Sequence, residues 1–507
     1  MVEVVLGGIN VDREALEQLR KSNNPEKYLG PESISAGYAR VSRADKSVTE
    51  LRRDAGEDVA AARKSNNTIV FEMGHHSVAE HAVFNFDILG ISRIAIEKLE
   101  IHRLNSYTEK SQRYVKMGGD FMTPKEFSKR LGEKHAELIN IQNKFYFKAL
   151  PILVKYQREK NSELAKIADE KQKKGVPDKS NAEKNILEGL AKEDARYVLS
   201  LSTTGQLGMT INARNLEYLI MRSATSKKAE VRELGEKLCA IGHEIAPSLI
   251  IFTEPNKYWK NSKDRLKKFV MSLPEISKPQ SNFLESTPMT IDDVTLLDYD
   301  RDADNKLVAA LIQSSNGEPF AQSYNRARNL TEEKKTLILK SMLEDIEQWD
   351  AMSREFEIIN LMFELKVSSS NFAQLKRHRM MTLLPQDYDT SLGYTTPESI
   401  FEAHLKPEFD HVMEKTLEFY NKVKKQCPDV AEYALTNAHK RRVVMSMNAR
   451  ELYHFARMRD DNHAQWDIRN NTASNVVALA EKVMPLTMIL ACGKDKFHNL
   501  YEKVYSK

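Results

Sequence analysis

Three clusters in this 507-residue chain bring together residue types that could do chemistry. The first is Gly74-His75-His76-Ser77-Val78-Ala79-Glu80-His81. Histidines this dense invite a zinc site, but the spacing resists it. HExxH sets its histidines at i and i+4 on one helical face, whereas His76 and His81 are five apart, and the inverted HxxEH pattern would need histidine where Ser77 stands. A helix start capped by Ser77, with Glu80 completing a capping box, fits better. A helix N-terminus with His and Ser facing outward can also receive a polar or anionic ligand. The second cluster is His102-Arg103, then seven residues, then Ser111, with Arg113 beyond. No GxSxG elbow surrounds Ser111, so a nucleophilic serine is disfavoured. A loop carrying serine, backbone amides and arginine suits a phosphate. Its later counterpart, Lys376-Arg377-His378-Arg379, is a dense cationic run that on its own reads as a solvated face. The third cluster follows Asn448-Ala-Arg450 and holds His454, Arg457, Arg459, His463 and Gln465. Arg450 and His454 share a helical face, which serves either salt bridging or convergence on a flat aromatic ligand. No GxGxxG follows a strand and no GxxxxGK[ST] occurs, so a dinucleotide would not be held by a Rossmann fingerprint.

The elements that must position these residues occur twice. IHRLNSYTEKSQRY from Ile101 matches RHRMMTLLPQDYDT from Arg377, and NARNLEYLIMR from Asn212 matches NARELYHFARMR from Asn448. A strand-like alternation precedes each His-Arg: Phe84, Phe86 and Ile88, then Leu361, Phe363, Leu365 and Val367. A short helical stretch leads to His-Arg, and a later helix opens at Asn-Ala-Arg. The shared order reads as a tandem duplication. His102 to Asn212 spans 110 residues and His378 to Asn448 only 70, so the first copy holds a charged insertion, placed at about 158–186 around Gly175-Val176-Pro177. The polar stretch Lys263–Asp293, with Pro274, Pro279 and Pro288, contains the linker. The resulting division is 1–270, a linker at 271–292, and 293–507. Residues 127–156 and 230–251 read as long amphipathic helices. The class is α+β, each half a small mixed sheet packed with long helices.

Composition narrows the partners. Apolar residues are 41% and charged residues 29%, as in an ordinary globular protein, and the net charge of +4 argues against a broad nucleic-acid surface. No apolar run approaches the roughly 20 residues of a membrane span, so no membrane partner is expected. The start, MVEVVLGGINVDRE, lacks a signal-peptide pattern, and a cytoplasmic location is the default expectation. Cys239, Cys427 and Cys492 lie far apart, which argues against a disulfide framework or a cysteine metal site.

Together the motifs resemble the flavin-dependent thymidylate synthase (ThyX) family. Its hallmark is RHR, seven residues, then serine, after an EHxxFxF strand and before an N-A-R helix with downstream Arg and H-A-Q-W. The first copy shows Ala39-Arg40-Val41-Ser42, the stretch ending in Glu80-His81, Phe84-x-Phe86, HR-x7-S and Asn212-Ala-Arg214. The second shows Arg377-His378-Arg379, Asn448-Ala-Arg450, Arg459 and His463-Ala464-Gln465-Trp466. The resemblance implies conversion of dUMP to dTMP, with methylenetetrahydrofolate as carbon donor, FAD as hydride carrier, NADPH as its reductant and no metal. It also implies a tetrameric particle, so two tandem chains would form a homodimer of intrachain pseudo-dimers.

The departures from the family pattern are complementary. The first copy has Ile101 for the first Arg of RHR and Lys98 for a uracil-binding Gln, and Arg222 does not align with the helix Arg. It keeps Glu109, Ser111, Arg113 and Arg196. The second keeps Gln374, Arg377 and Arg459, but has Asp387 and Asp389 in the loop and Glu432 before the N-A-R helix. Acids at a phosphate site would repel it. The resemblance therefore implies one surviving composite site. dUMP would meet Gln374, Arg377, Arg459, Glu109, Lys110, Ser111, Gln112, Arg113 and Arg196, with Arg459 catalytic through the uracil. FAD would meet Ser42, His75, Ser77, Glu80, Glu109, Asn212 and Arg214 of the first copy, and Arg377, His378, Arg379, Asn448, Arg450 and His454 of the second. The competing expectations are an inactive flavin- or nucleotide-binding homologue, or a flavoenzyme methylating uridine in RNA.

Overall fold

The alternations read from the sequence lie on paired strands. In the first half, β1 (Glu3–Ile9), β2 (Val83–Ser92), β3 (Ser106–Glu109) and β4 (Thr204–Asn212) form an antiparallel sheet of order β1-β2-β4-β3. Phe84, Phe86 and Ile88 of β2 stand opposite Ile211, Met209 and Leu207 of β4, and this double row is buried. In the second half, β5 (Met289–Ile291), β6 (Val294–Tyr299), β7 (Asn360–Ser368), β8 (Thr382–Pro385) and β9 (Lys440–Asn448) run in the order β5-β6-β7-β9-β8. Leu361, Phe363 and Leu365 face Met447, Met445 and Val443 in the same way. Each buried side chain of this size contributes roughly 1.5–3 kcal/mol, so the double rows dominate local preferences. The registers coincide: Val83 pairs with Asn212, and Asn360 with Asn448. One difference separates them. Strand β2 carries a bulge between Leu89 and Ile91, where Gly90 takes φ 65°, and so has one residue more than β7. Glycine accepts that left-handed backbone without a Cβ clash.

The computed structural model describes residues 2–22, 30–274 and 288–506. It falls into two compact units, residues 1–275 with 398–436, and residues 276–397 with 437–507. The sequence repeat and the packing are thus different partitions of the chain. Helix Lys406–Gln426 belongs to the second copy by sequence but packs in the first unit against helix Lys129–Lys160. Gln142 Nε2 donates to Thr416 Oγ1 at 2.9 Å and to the Ala434 carbonyl at 3.1 Å, and the rings of Phe145 and Phe409 meet edge to face. The charged insertion is ordered. Helix Ser162–Lys173 pairs with Ala182–Ala195 through Ala165, Ala168 and Leu187, with Lys171 held 2.6 Å from Glu183. The polar stretch read as the linker is helical as far as Ser272, and most of the expected linker, residues 275–287, lies outside the described residues.

Candidate functional site

In the second unit, β7 delivers the chain to the His-Arg motif. Ser368 caps helix Ser369–Leu375 by accepting from the Asn371 amide at 3.0 Å. Gln374, 8% exposed, donates to Gln465 at 3.3 Å. His378 is buried beyond the helix against the rings of Phe455 (5.0 Å) and His454 (5.4 Å). Its Nε2 accepts from Arg459 Nε at 2.9 Å. Burial, then the neighbouring Arg459 and His454, hold this histidine well below the ordinary imidazole range. It is a neutral acceptor that orients the Arg459 guanidinium. Its Nδ1 lies 3.3 Å from Glu451 but is poorly aligned for a hydrogen bond. Burial raises the Glu451 carboxyl. Arg377 is half-buried, and Arg379 and His454 are exposed. His463 is exposed with its ring on Asp461, whereas Arg457 turns into the core beneath Phe497.

In the first unit the corresponding place is occupied differently. Ile101, at the position of Arg377, is exposed, and Lys98 replaces Gln374. His102 packs edge-on to Tyr218, and burial together with Arg222 lowers it to about 4. Arg222 is spread over Tyr218 (5.8 Å) and over Trp259 (5.2 Å) of helix Lys257–Ser272. Tyr218 therefore stands against this histidine, with Trp259 packed on Tyr218 and Arg222 behind it.

The nucleotide loop shows the reverse contrast. From β3 the first unit runs into Lys110–Arg113. Ser111 Oγ accepts from the Arg113 amide at 3.1 Å, and Arg113 forks onto Glu193 through Nε (3.0 Å) and Nη2 (2.9 Å). Arg196, 5% exposed, donates to the Glu193 carbonyl at 3.3 Å, and burial pushes its guanidinium below its ordinary value. Arg113 and Arg196 thus meet at Glu193, a residue the sequence reading missed although it lies one helical turn before Arg196, while the Ser111 hydroxyl bonds its loop neighbour Arg113. Glu109 is committed to a buried ion pair with Arg93 at 2.5 Å, and Gln112 is buried. In the second unit the loop residue Asp389 caps the turn Thr390–Leu392, Asp387 is exposed, and Arg441 is buried 3.8 Å from the Tyr388 ring centroid. Glu432, at the position of Arg196, pairs in the first unit with Lys228 at 3.1 Å.

The Asn-Ala-Arg motif has one structural explanation in both halves. Asn212 and Asn448 cap helices Ala213–Ala224 and Ala449–Arg459, accepting from Asn215 and Glu451 amides at 2.9 Å. Arg214 pairs with Glu80 at 2.5 Å, and Arg450 with Glu357 at 2.9 Å. The capping box expected at Ser77 and Glu80 does not form. His76–His81 is a short 3-10 stretch whose cap position is His75, so Ser77 lies inside it and caps nothing, and Glu80 pairs instead with Arg214. Ser42, His75 and Ser77 are exposed.

A family model described as thymidylate synthase complementing protein matches residues 26–248 and again 295–486. A flavin-dependent thymidylate synthase of Clostridium tetani is 28% identical over 233 residues, 45% of this chain and 83% of that protein. A UPF0159 protein of Thermoplasma acidophilum is 23% identical over 434 residues, 79% of this chain and 83% of the relative. A UPF0159 protein of Chlamydia muridarum is 26% identical over 273 residues, 52% of this chain, and the match spans half of that relative's length. The solved structure of a UMP/dUMP methylase, PolB of Streptomyces cacaoi bound with 5-Br dUMP, aligns at 17% identity with a TM-score of 0.32, covering 49% of this chain and 93% of PolB. That likeness is too distant to transfer geometry. With its model matched over residues 26–248 and again over 295–486, the chain belongs to the thymidylate synthase complementing protein family.

Proposed function

We propose that the chain is a flavin-dependent thymidylate synthase that methylates dUMP to dTMP at a composite of the two motif sets. Methylenetetrahydrofolate would be the carbon donor, FAD the hydride carrier and NADPH its reductant. The observation that carries this reading is the opposite fate of equivalent positions. The second half keeps a histidine-oriented arginine where the first has Tyr218, Arg222 and Trp259. The first half keeps Ser111, Arg113 and Arg196 where the second has Asp387, Asp389 and Glu432.

The roles follow from the groups. Arg113 and Arg196 offer forked donors to the dUMP phosphate, which would displace Glu193 from Arg113. Ser111 hydrogen-bonds the nucleotide and need not act as a nucleophile. Arg459, held by neutral His378, would stabilise negative charge on the uracil and raise nucleophilicity at the ring carbon that takes the methylene. Gln374 and Arg377 complete the nucleotide contacts. The donor set also suits a flavin dinucleotide. Arg379, His75, Ser77 and Ser42 are exposed polar groups, and Ile101, Leu104 and Met380 beside the two His-Arg motifs are exposed apolar ones. The flavin, when bound and reduced, supplies the hydride; the protein positions and polarises. Two chains would assemble as a tetramer-like dimer in the cytoplasm.

The test is growth of a thymidine-requiring bacterium expressing the chain, with flavin absorbance of the purified protein. Failure to restore growth despite soluble, flavin-loaded protein would overturn the assignment in favour of an inactive binding homologue.

A further inference from the structure

Helix Lys257–Ser272 of the first unit buries none of its residues. At 100° per residue, Tyr258, Trp259, Leu266, Phe269, Val270 and Leu273 share an arc of about 120°. The cations Lys257, Lys260, Lys263, Arg265, Lys267 and Lys268 lie outside it, with Asp264 the single acid. That acid is 3.2 Å from Lys227, so the charge on the polar face, which also holds Asn261 and the exposed Met271, is almost wholly positive. The first turn is anchored through Trp259 on Tyr218 and Arg222. Beyond it the apolar arc is uncovered among the described residues: Leu266 is 61% exposed, Phe269 64% and Val270 53%. The helix in the equivalent place of the second half, Lys494–Tyr505, behaves differently. It buries Phe497 and half-buries Leu500, Tyr501 and Val504 against the core of its unit.

We propose that helix Lys257–Ser272 docks the protein on an anionic phospholipid surface, lying in the headgroup plane with Leu266, Phe269, Val270 and Leu273 inserted. An interfacial helix needs this combination of an apolar arc, a lysine-rich opposite face and low overall hydrophobicity. Charge complementarity selects the occupant. Arg265 and Lys263 border the two edges of the apolar arc. On a second copy of the same face they would meet their own images, whereas lipid phosphates offer opposite charge along both edges. A nucleic acid would match the cations but leave the apolar arc in water. Among the described residues no helix is long and apolar enough to cross a membrane, so the helix lies on the surface. The absence of a spanning segment, on which the sequence expectation of no membrane partner rested, does not bear on such an arrangement.

The experiment is co-sedimentation of the full chain with phosphatidylcholine vesicles with and without phosphatidylglycerol. Binding to the anionic vesicles, weakened by salt, is expected. Leu266→Asp with Phe269→Asp should abolish it. Lys267→Gln with Lys268→Gln should weaken it roughly fivefold per cation removed. Circular dichroism checks folding, which these exposed positions should not disturb. Equal binding to neutral vesicles, no binding to anionic ones, or loss of a chain–chain assembly in the Asp variant without vesicle binding would each overturn the proposal.

Discussion

The contact most open to measurement is the hydrogen bond from Arg459 to His378. Phenylalanine at 378 keeps a ring against Phe455 and His454 but removes the acceptor 2.9 Å from Arg459 Nε. A hydrogen bond to a charged group is worth about 1.5–3 kcal/mol, and 1.4 kcal/mol is a factor of ten. If Arg459 acts on the uracil, His378→Phe should lower kcat/KM for dUMP-dependent flavin oxidation by about tenfold to a hundredfold, with little change in melting temperature. The mirror substitution, His102→Phe, removes a ring packed on Tyr218 beside an arginine already spread over Tyr218 and Trp259. Its effect on activity should stay within about twofold. The pH profile adds an independent check. His378 is held neutral by burial and by neighbouring positive charge, so it takes a proton only well below pH 6.5, and the acid limb it causes must lie there. That limb should vanish in His378→Phe. The reasoning is refuted if His102→Phe is as damaging as His378→Phe, or if the limb removed by His378→Phe lies at or above 6.5.

Other outcomes follow from the same geometry. Arg377→Ala and Ser111→Ala should each reduce dUMP-dependent flavin oxidation to background, measured by flavin absorbance, whereas His102→Ala should do much less. Arg113→Ala removes a forked phosphate donor and should weaken dUMP binding by about tenfold to a hundredfold in a calorimetric titration. His135 is fully buried, its Nε2 3.0 Å from Ser202 Oγ, and burial lowers it to about 4. Its folded value lies below its unfolded one, so stability is fully present above pH 6.5 and falls, by up to about 3 kcal/mol, as the pH drops toward 4. His135→Gln should flatten that fall in urea midpoints taken across this window. Gly90→Ala forces a Cβ into the left-handed bulge and should cost about 1–2 kcal/mol in thermal melts. Gly208→Ala, in the neighbouring strand with open space around its Cβ, should not.

Periodicity and motif order were enough to read the repeat, the paired strands and the helices that follow them, because these are local patterns. Phe84, Phe86 and Ile88 announce a buried strand face wherever the strand is placed, and an Asn at a strand-to-helix junction announces a cap. Complementary retention of the two motif sets was also legible, since it is a property of residue identity. The tertiary structure decided which side chains meet. Arg459 and His378 are 81 residues apart, and Glu193 reaches Arg113 across 80. Ser77 is not the expected cap because the local turn is a 3-10 stretch beginning at His76, and Glu80 pairs with Arg214, 134 residues away. Helix Lys406–Gln426 follows the second copy in sequence but packs with the first unit. An amphipathic pattern states that a face must be covered but not by what; the covering surface is chosen by side chains distant in the chain, through packing that no local window contains.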